Sequence, residues 1–180
     1  MKSDWEFKKR IKKYSDNIMT IYHDEYLYKP IGENMVFTVQ SMSSWAIIVP
    51  VTENGDFIVV RQFRAGTASD TLEFPGGSID LNEEPSHAAL RELKEETGAV
   101  AQSVKRLSVI DPNPAFMMNK CNVFAAENCR LTGDKHLDKF EDTEPLIISP
   151  AEMARMVRDG EFTQGLSLSA YGLYMAHLNK

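Results

Sequence analysis

A short apolar strand, a glycine turn and a patterned helix follow one another near the middle of the chain, and this order limits the fold more than any other feature. The strand is predicted over residues 71–74 and ends at Pro75-Gly76-Gly77, where glycine permits a sharp turn and a close approach of the backbone to a ligand. The helix is predicted over residues 85–97, and Gly98 stands where a left-handed residue commonly ends a helix. The pattern therefore requires a mixed α and β architecture.

One side of the predicted helix is acidic. Glu92, Glu95 and Glu96 stand at positions i, i+3 and i+4, so their carboxylates project from the same side of the helix. Leu90 and Leu93 fall on a different side, which is available to the core. The helix is therefore predicted to have one side for packing and one side for chemistry.

The acidic side is typical of a metal site. Neighbouring carboxylates repel one another by about 1 kcal/mol per pair at 4 Å in water, and by several times as much at low dielectric. A hard divalent cation such as Mg²⁺ would offset this repulsion, because it takes oxygen ligands and keeps positions open for phosphate oxygens and water. Arg91, beside this side, is expected to pair with Glu83 or Glu84. The alternative is a solvated, glutamate-rich surface, and the adjacent glycine turn favours the metal site.

The rest of the chain predicts a mixed sheet packed between helices, an α+β fold of α/β/α layers with a small N-terminal antiparallel sheet. Two of the apolar strands are joined by an Asn-Gly turn, which is a strong hairpin signal. Outside the central motif, the predicted strands are residues 18–22, 35–39, 45–51, 57–62, 104–111, 122–126 and 146–148. Two further helices are predicted over residues 150–159 and 168–178.

The first residues carry a basic and apolar pattern. Phe7, Ile11 and Tyr14 are spaced at i, i+4 and i+7 between lysines and an arginine, which predicts a short amphipathic helix or a docked arm over residues 4–14. A membrane- or RNA-binding arm is the alternative.

Composition limits the classes of partner. The 180 residues, 43% of them apolar, suffice for one compact domain with a core, and the net charge of −6 disfavours tight binding to nucleic acid. No apolar run approaches the roughly 20 residues that span a bilayer, and the sequence opens with charge instead of a signal-peptide apolar stretch. We therefore expect a cytoplasmic protein that binds a small molecule, with neither nucleic acid nor membrane as partner. Cys121 and Cys129 are expected to be ordinary reduced thiols.

The central motif resembles a known family. Gly77, Glu83, Arg91-Glu92-Leu93, Glu95-Glu96 and Gly98 stand at the spacing of the Nudix box, which would run from Gly77 to Ala99, with Ala99 where a larger aliphatic residue is usual. The chain therefore resembles the Nudix hydrolases.

Residues outside the box resemble one branch of that family. Arg61-Gln62-Phe63-Arg64 and Leu72-Glu73-Phe74-Pro75-Gly76-Gly77 are similar to segments of the enzymes that hydrolyse ADP-ribose and nucleoside-diphosphate sugars. Pro114 is placed like a proline that marks ADP-ribose pyrophosphatases, with Pro112 as the alternative register. The resemblance covers the chain from about Trp45 onward, and the first forty residues only loosely.

The resemblance implies roles for individual residues. Glu92, Glu95 and Glu96 would bind Mg²⁺, or Mn²⁺ in its place, with the Gly76 carbonyl as a further ligand. Glu95 would also belong to the catalytic group, together with Arg91 and Glu83 as a supporting pair.

The resemblance also implies substrate contacts and a base. Glu73 would brace its loop or contact the substrate, Arg64 or Arg61 would meet a phosphate or the terminal ribose, and Pro114 would lie at the substrate. A glutamate in residues 135–144 would activate the attacking water, with Glu141 as the first choice and Glu144 as the second.

The implied reaction is Mg²⁺-dependent hydrolysis of the pyrophosphate bond of ADP-ribose or a nucleoside-diphosphate sugar, giving a nucleoside monophosphate and a sugar phosphate. Hydrolysis of oxidised nucleoside triphosphates or of RNA caps, and non-catalytic binding of a nucleotide sugar by a regulator, are the alternatives. The resemblance further implies a homodimer, with residues 1–42 as an arm and small sheet that mediate dimerisation and residues 43–180 as the Nudix hydrolase domain.

Overall fold

The computed structural model describes residues 3–133 and 142–178, and the chain divides into two compact units. The first unit comprises Met1–Ser44 and Asp111–Lys120, and the second comprises Trp45–Ile110 and Cys121–Lys180.

The first unit is built on three antiparallel strands in the order β1 (Trp5–Ser15), β2 (Met19–Tyr28) and β3 (Glu33–Met42). The predicted strand at 35–39 is confirmed as part of the longer β3, and the one at 18–22 is confirmed from Met19 onward as part of β2. Gly32 has a φ of 71° in the turn between them, a backbone conformation that glycine adopts without strain. The segment after Asp111 is fastened to β3, because Gln40 exchanges backbone hydrogen bonds with Phe116 and Met118.

The predicted helix over residues 4–14 is wrong, because these residues form β1. The strand pairs with β2 from Trp5 to Ser15, and pairing with a distant segment overrides a weak local preference. The register shifts after Phe7 and again after Lys12, so the apolar side chains lose the two-residue alternation of a regular strand. Their resulting spacing of four and three residues is what imitates a helix.

The second unit contains the predicted mixed sheet. Its elements are β4 (Trp45–Thr52), β5 (Phe57–Arg64), β6 (Ser69–Glu73), β7 (Gly76–Ser78), α1 (Pro85–Thr97), β8 (Ala99–Val100), β9 (Ser103–Ile110), β10 (Cys121–Leu131), β11 (Thr143–Ile148), α2 (Pro150–Asp159) and α3 (Gly165–Leu178). The main path of the sheet runs β11-β5-β4-β10-β8, with β6 beside β5, β7 beside β4 and β9 beside β10. The pairing of β4 with β10 is parallel. The pairings of β10 with β8 and β9, of β5 with β11, β4 and β6, and of β4 with β7 are antiparallel.

Helices cover both faces of this sheet. Along β4, Ile48 faces a core that also contains Leu93 of α1, whereas Val49 faces a core that contains Met153 of α2 and Tyr174 of α3. This alternation is what period-two side-chain geometry produces in a strand buried on both sides. The predicted fold class is therefore confirmed, with α1 on one face and α2 and α3 on the other.

Local signals account for the helix ends. Pro85 occupies the first turn of α1, and Gly98 ends it in the left-handed region with its N–H bonded to the Lys94 carbonyl at 2.8 Å. In α2, the Ser149 side chain accepts a hydrogen bond from the Glu152 N–H, which caps the helix. Among the helices of the described chain, none is long and apolar enough to span a bilayer.

Candidate active site

The glycine corner, formed by Gly76 and Gly77, is shaped by the neighbouring strand β4. Gly76 pairs with Ile47 across β7 and β4, and a Cβ on Gly76 would lie 2.9 Å from the Ile47 Cα and 2.5 Å from the Ala46 carbonyl oxygen. No side chain fits there without moving backbone. The Gly76 N–H is thereby directed at α1, where it donates to Glu96 Oε2 at 3.1 Å.

The carboxylates of α1 lie against this corner. Glu92 and Glu96 are 8% and 3% exposed, so they belong to the interior and not to a solvated surface. A Cβ on Gly77 would lie 2.6 Å from the Glu92 Cδ, and the missing side chain therefore makes room for that carboxyl group. Burial of charged groups is costly unless they are paired. Buried carboxylates that lie side by side are therefore typical of a functional site.

Arg91 holds the acidic side together. Its guanidinium donates to both carboxylate oxygens of Glu83 at 2.9 and 3.0 Å, and its Nη1 donates to Glu92 at 2.8 Å and to Glu95 at 3.1 Å. A further bond reaches the Ser78 carbonyl at 3.1 Å. The hydrogen bonds from Arg91 lower the pKa of Glu83 to about 2, and the same bonds raise the pKa of Arg91. The ion pair predicted with Glu83 or Glu84 is thus made with Glu83.

Arg91 and the carboxylates of Glu92, Glu95 and Glu96 line an open cleft of about 530 Å³. The glycine corner, Arg64 and Gln62 also line it. Within residues 3–133 and 142–178, no three His, Cys, Asp or Glu side chains form a ready group of metal ligands. Glu92 and Glu95 share Arg91 Nη1, and Glu96 accepts the Gly76 N–H. The donor set nevertheless fits a hard divalent cation, because carboxylate oxygens from one helix side line a single polar cleft.

A second ion pair lies at the edge of the cleft. Arg64 donates to both oxygens of Glu73 at 2.7 and 2.6 Å, and the Thr71 hydroxyl also donates to Glu73. Glu73 is 3% exposed, whereas the Arg64 side chain is half exposed. Such a bidentate pair restrains the guanidinium of Arg64 and directs it toward the cleft.

An adjoining cavity of about 310 Å³ shares Arg64 and the glycine corner with the acidic cleft, and Glu73 lines this second cavity. Its apolar lining includes Trp45, Phe74 and Leu166. The wall is fixed by α3, because Ser167 Oγ accepts the Phe74 N–H at 2.9 Å. Acidic cleft and partly apolar cavity together form a site for a ligand with a charged centre and a less polar arm.

Two of the predicted site residues, Arg61 and Glu144, do not line this cleft. Arg61 binds Glu144 at 2.8 Å, and both line a different cleft, with roughly half of each side chain exposed. Glu141 lies outside the described residues. Pro114 is exposed in the first unit. Of the two arginines considered for the phosphate, Arg64 is therefore the one that lines the acidic cleft.

Sequence reasoning missed residues that support or line the cleft. Thr143, opposite Gln62 on β11, donates its hydroxyl to the Glu96 carbonyl at 3.0 Å. Gln62 lines the cleft itself. The strand alternation Ile58, Val60, Gln62 carries the signal that would have found Gln62, because residues two apart share a face.

Comparisons with known proteins point to one family. A family model described as the NUDIX domain matches residues 42–165. An ADP-ribose pyrophosphatase of Bacillus subtilis is 32% identical over 149 residues, 82% of this chain and 80% of that protein. ADP compounds hydrolase NudE of Escherichia coli is 30% identical over 129 residues, 69% of this chain and 66% of that protein. A crystal structure of an ADP compounds hydrolase shares the fold, with a TM-score of 0.84 over 98% of this chain and 95% of that chain at 23% identity.

Proposed function

The chain belongs to the NUDIX family, and on that premise we propose that it hydrolyses the pyrophosphate bond of ADP-ribose or a related nucleoside-diphosphate sugar with Mg²⁺. The products are a nucleoside monophosphate and a sugar phosphate. The observation that carries the proposal is the buried pair Glu92 and Glu96 at the Gly76-Gly77 corner, inside a polar cleft that Arg64 also lines.

In this proposal, Glu92, Glu95 and Glu96 would hold the cation together with the Gly76 carbonyl, and Mn²⁺ could take the place of Mg²⁺. Such a divalent cation would supply positive charge to offset the diphosphate and would favour deprotonation of water. Arg91 keeps Glu92 and Glu95 together on one side of the helix through its bonds to both, and Glu83 orients Arg91.

The substrate is positioned by the ion pair at the edge of the cleft. Arg64 binds a phosphate oxygen, and Glu73 fixes its guanidinium. The neighbouring cavity beside Trp45 receives the nucleoside or the sugar. Arg61 and Pro114 are proposed as further contacts of the substrate.

The attacking water requires a base. We assign this role to Glu141, with Glu144 as the second candidate. A carboxylate within hydrogen-bond reach of the water performs such proton transfer. Replacing Glu141 and Glu144 singly by Gln decides between them, because only the base gives a large loss of kcat.

The experiment that tests the proposed function is a substrate panel. ADP-ribose, ADP-glucose and GDP-mannose are incubated with Mg²⁺, and phosphate is measured after a phosphatase is added. Hydrolysis of 8-oxo-dGTP, which a phosphatase attacks directly, is followed by chromatography of the nucleoside monophosphate. We expect turnover of ADP-ribose or a diphosphate sugar, and loss of most turnover in Glu96→Gln with the fold intact. Glu53→Gln, in the exposed hairpin turn, is the matched control. Unchanged turnover by Glu96→Gln would contradict the assignment.

We also propose a cytoplasmic homodimer formed through the N-terminal sheet. Phe7 and Met35 are exposed there on strands that both pair with β2 at Tyr26, and exposed apolar side chains that share a face can mark interaction sites. Ile11 and Val36 are exposed in the same sheet. The chain has a mass of 20.3 kDa, so light scattering of the intact protein should give about twice that value for a dimer. A monomer mass would contradict it.

A further inference from the structure

Gln62 stands where β5 leaves the core and enters the acidic cleft. Ile58 and Val60 are fully buried in the same strand phase, and Gln62 follows two residues later. The pairing of β5 with β11 and with β6 is regular through Gln62, so the phase is not interrupted. Its side chain accordingly lines the cleft with Glu92, Glu95 and Glu96.

The orientation of the amide is constrained by its surroundings. Gln62 Oε1 is shut off from solvent and has no hydrogen-bond partner among the described residues. The opposite orientation would place the two N–H donors in that closed position and would turn the oxygen toward a cleft lined by carboxylates. The Nε2 group is therefore the end of the side chain directed at the cleft.

The backbone at Gln62 is fixed from both sides. Thr71 on β6 pairs with Gln62, and its hydroxyl, which donates to Glu73, lies 3.4 Å from the Gln62 carbonyl oxygen. Thr143 on β11 lies opposite Gln62 and holds the Glu96 carbonyl. Gln62 is thus paired with β6, which carries Glu73, and with β11, whose Thr143 contacts α1 at Glu96.

The Gln62 amide adds a neutral hydrogen-bond donor to this cleft. The guanidinium groups of Arg91 and Arg64 are already bound to carboxylates. A buried oxygen without a partner is unfavourable, and such groups in native proteins call for an explanation. With Oε1 buried, Nε2 is the end of the amide that can donate to a phosphate oxygen, and that orientation accounts for the unpartnered oxygen.

We propose that Gln62 is a further substrate-positioning residue, whose Nε2 donates to a non-bridging oxygen of the bound diphosphate. This inference rests on the proposed function, because it assigns a contact with the diphosphate of that substrate. Gln62 is not a metal ligand in this assignment. Its substitution should therefore weaken binding of the diphosphate without changing binding of the cation.

The test uses Gln62→Met, which keeps the length of the side chain and removes both amide atoms. The probe is methylene diphosphonate, a diphosphate that is not hydrolysed, titrated into the full chain with saturating Mg²⁺ in a calorimeter. We expect about tenfold weaker binding and a KM raised by about as much, since a hydrogen bond to a charged group has that magnitude. Binding of Mg²⁺ alone should stay unchanged, and kcat should fall less than KM rises.

Stability separates this role from a structural one. Removing an unpartnered buried oxygen at constant shape should leave the melting temperature unchanged or raise it, whereas a structural amide would lower it on loss. Gln62→Glu is the second variant, and it should weaken diphosphonate binding further because its charge repels phosphate. Gln102→Leu, at an exposed glutamine of the second unit, is the control.

Two outcomes overturn the inference. One is diphosphonate binding by Gln62→Met equal to that of the natural chain, and the other is a lowered melting temperature with unchanged KM. If Gln62→Met does not fold, Gln62→Glu decides by the same titration. Failure of the proposed function looks different, because no compound of the panel would then be hydrolysed by the natural chain, whatever the Gln62 variants bind.

Discussion

Glu92 lies against Gly77 so closely that a Cβ on Gly77 would come within 2.6 Å of the Glu92 Cδ. The neighbouring Gly76 faces backbone instead, at Ala46 and Ile47. Two adjacent glycines therefore have different purposes, since one makes room for a cleft carboxylate and the other for a strand. Replacing Gly77 by alanine should therefore alter the cation site, whereas replacing Gly76 by alanine should lower the stability of the fold.

Gly77→Ala should disturb the cation site and leave the fold intact. The added methyl meets the flexible end of Glu92, which moves away and loses its place in the cleft. We expect about 10- to 100-fold weaker Mg²⁺ binding, the range seen when a group that orients a ligand is lost. Calorimetric titration of Mg²⁺ measures it, with thermal melting as the check on folding. Unaltered Mg²⁺ affinity would contradict the role given to Gly77.

Gly76→Ala should destabilise the protein. Its methyl meets the Ala46 carbonyl and the Ile47 Cα, which move only with the strand, and overpacking of this kind costs about 1–3 kcal/mol. Urea unfolding measures the loss. Gly172→Ala in α3 is the matched control, because nothing lies within 4 Å of its Cβ position and alanine favours helix by about 0.5–1 kcal/mol. Equal changes in the free energy of unfolding from Gly76→Ala and Gly172→Ala would refute the steric clash expected at Gly76.

Glu73→Gln should affect substrate binding more than turnover. The variant weakens the bidentate pair that restrains Arg64, so the guanidinium samples more orientations before it meets phosphate. We expect KM for ADP-ribose to rise about tenfold, the equivalent of about 1.4 kcal/mol, with a smaller change in kcat. A double-mutant cycle with Arg64→Met checks that the two residues act together. Additive effects in that cycle would show that Glu73 acts without Arg64.

Sequence signals were strongest where they were local. The bounds of α1 follow from Pro85 and Gly98, which act within the helix itself. The identity of β1 depends on pairing with β2 and on two register shifts, which no local pattern contains. Which of Arg61 and Arg64 lines the acidic cleft depends on strand phase, and that phase, counted from Ile58, assigns Arg64 to the same face of β5 as Gln62.

The burial of the acidic helix was also beyond the sequence pattern. The spacing of Glu92 and Glu96 predicts a shared side, but their low exposure arises from the glycine corner that packs against them. That contact joins residues distant in the chain, so it requires the tertiary structure.

The cysteines should be unreactive in the folded protein. Burial raises the pKa of Cys121 to about 12 and that of Cys129 to about 11, which leaves little thiolate near pH 8. Both thiols should react slowly with a disulfide reagent in buffer and rapidly in guanidinium chloride. The absorbance of released thiolate measures this. Fast reaction of either thiol in the native protein would contradict its burial.

The ion pair between Glu83 and Arg91 should contribute stability with a defined dependence on pH. The pKa of Glu83 falls from 4.5 to about 2, chiefly through its hydrogen bond with Arg91 and next through the Asp80 N–H. A depressed carboxyl pKa stabilises the folded state above the unfolded value, and this contribution is lost as pH falls through the folded value. The difference in unfolding free energy between the natural chain and Glu83→Gln should therefore be constant above about pH 5 and shrink toward pH 2. Urea unfolding at several pH values measures it, and a difference that does not change between pH 6 and pH 2 would show that Glu83 titrates normally. Since Arg91 also binds Glu92 and Glu95, the same variant should lower kcat at neutral pH, where Glu83 is ionised.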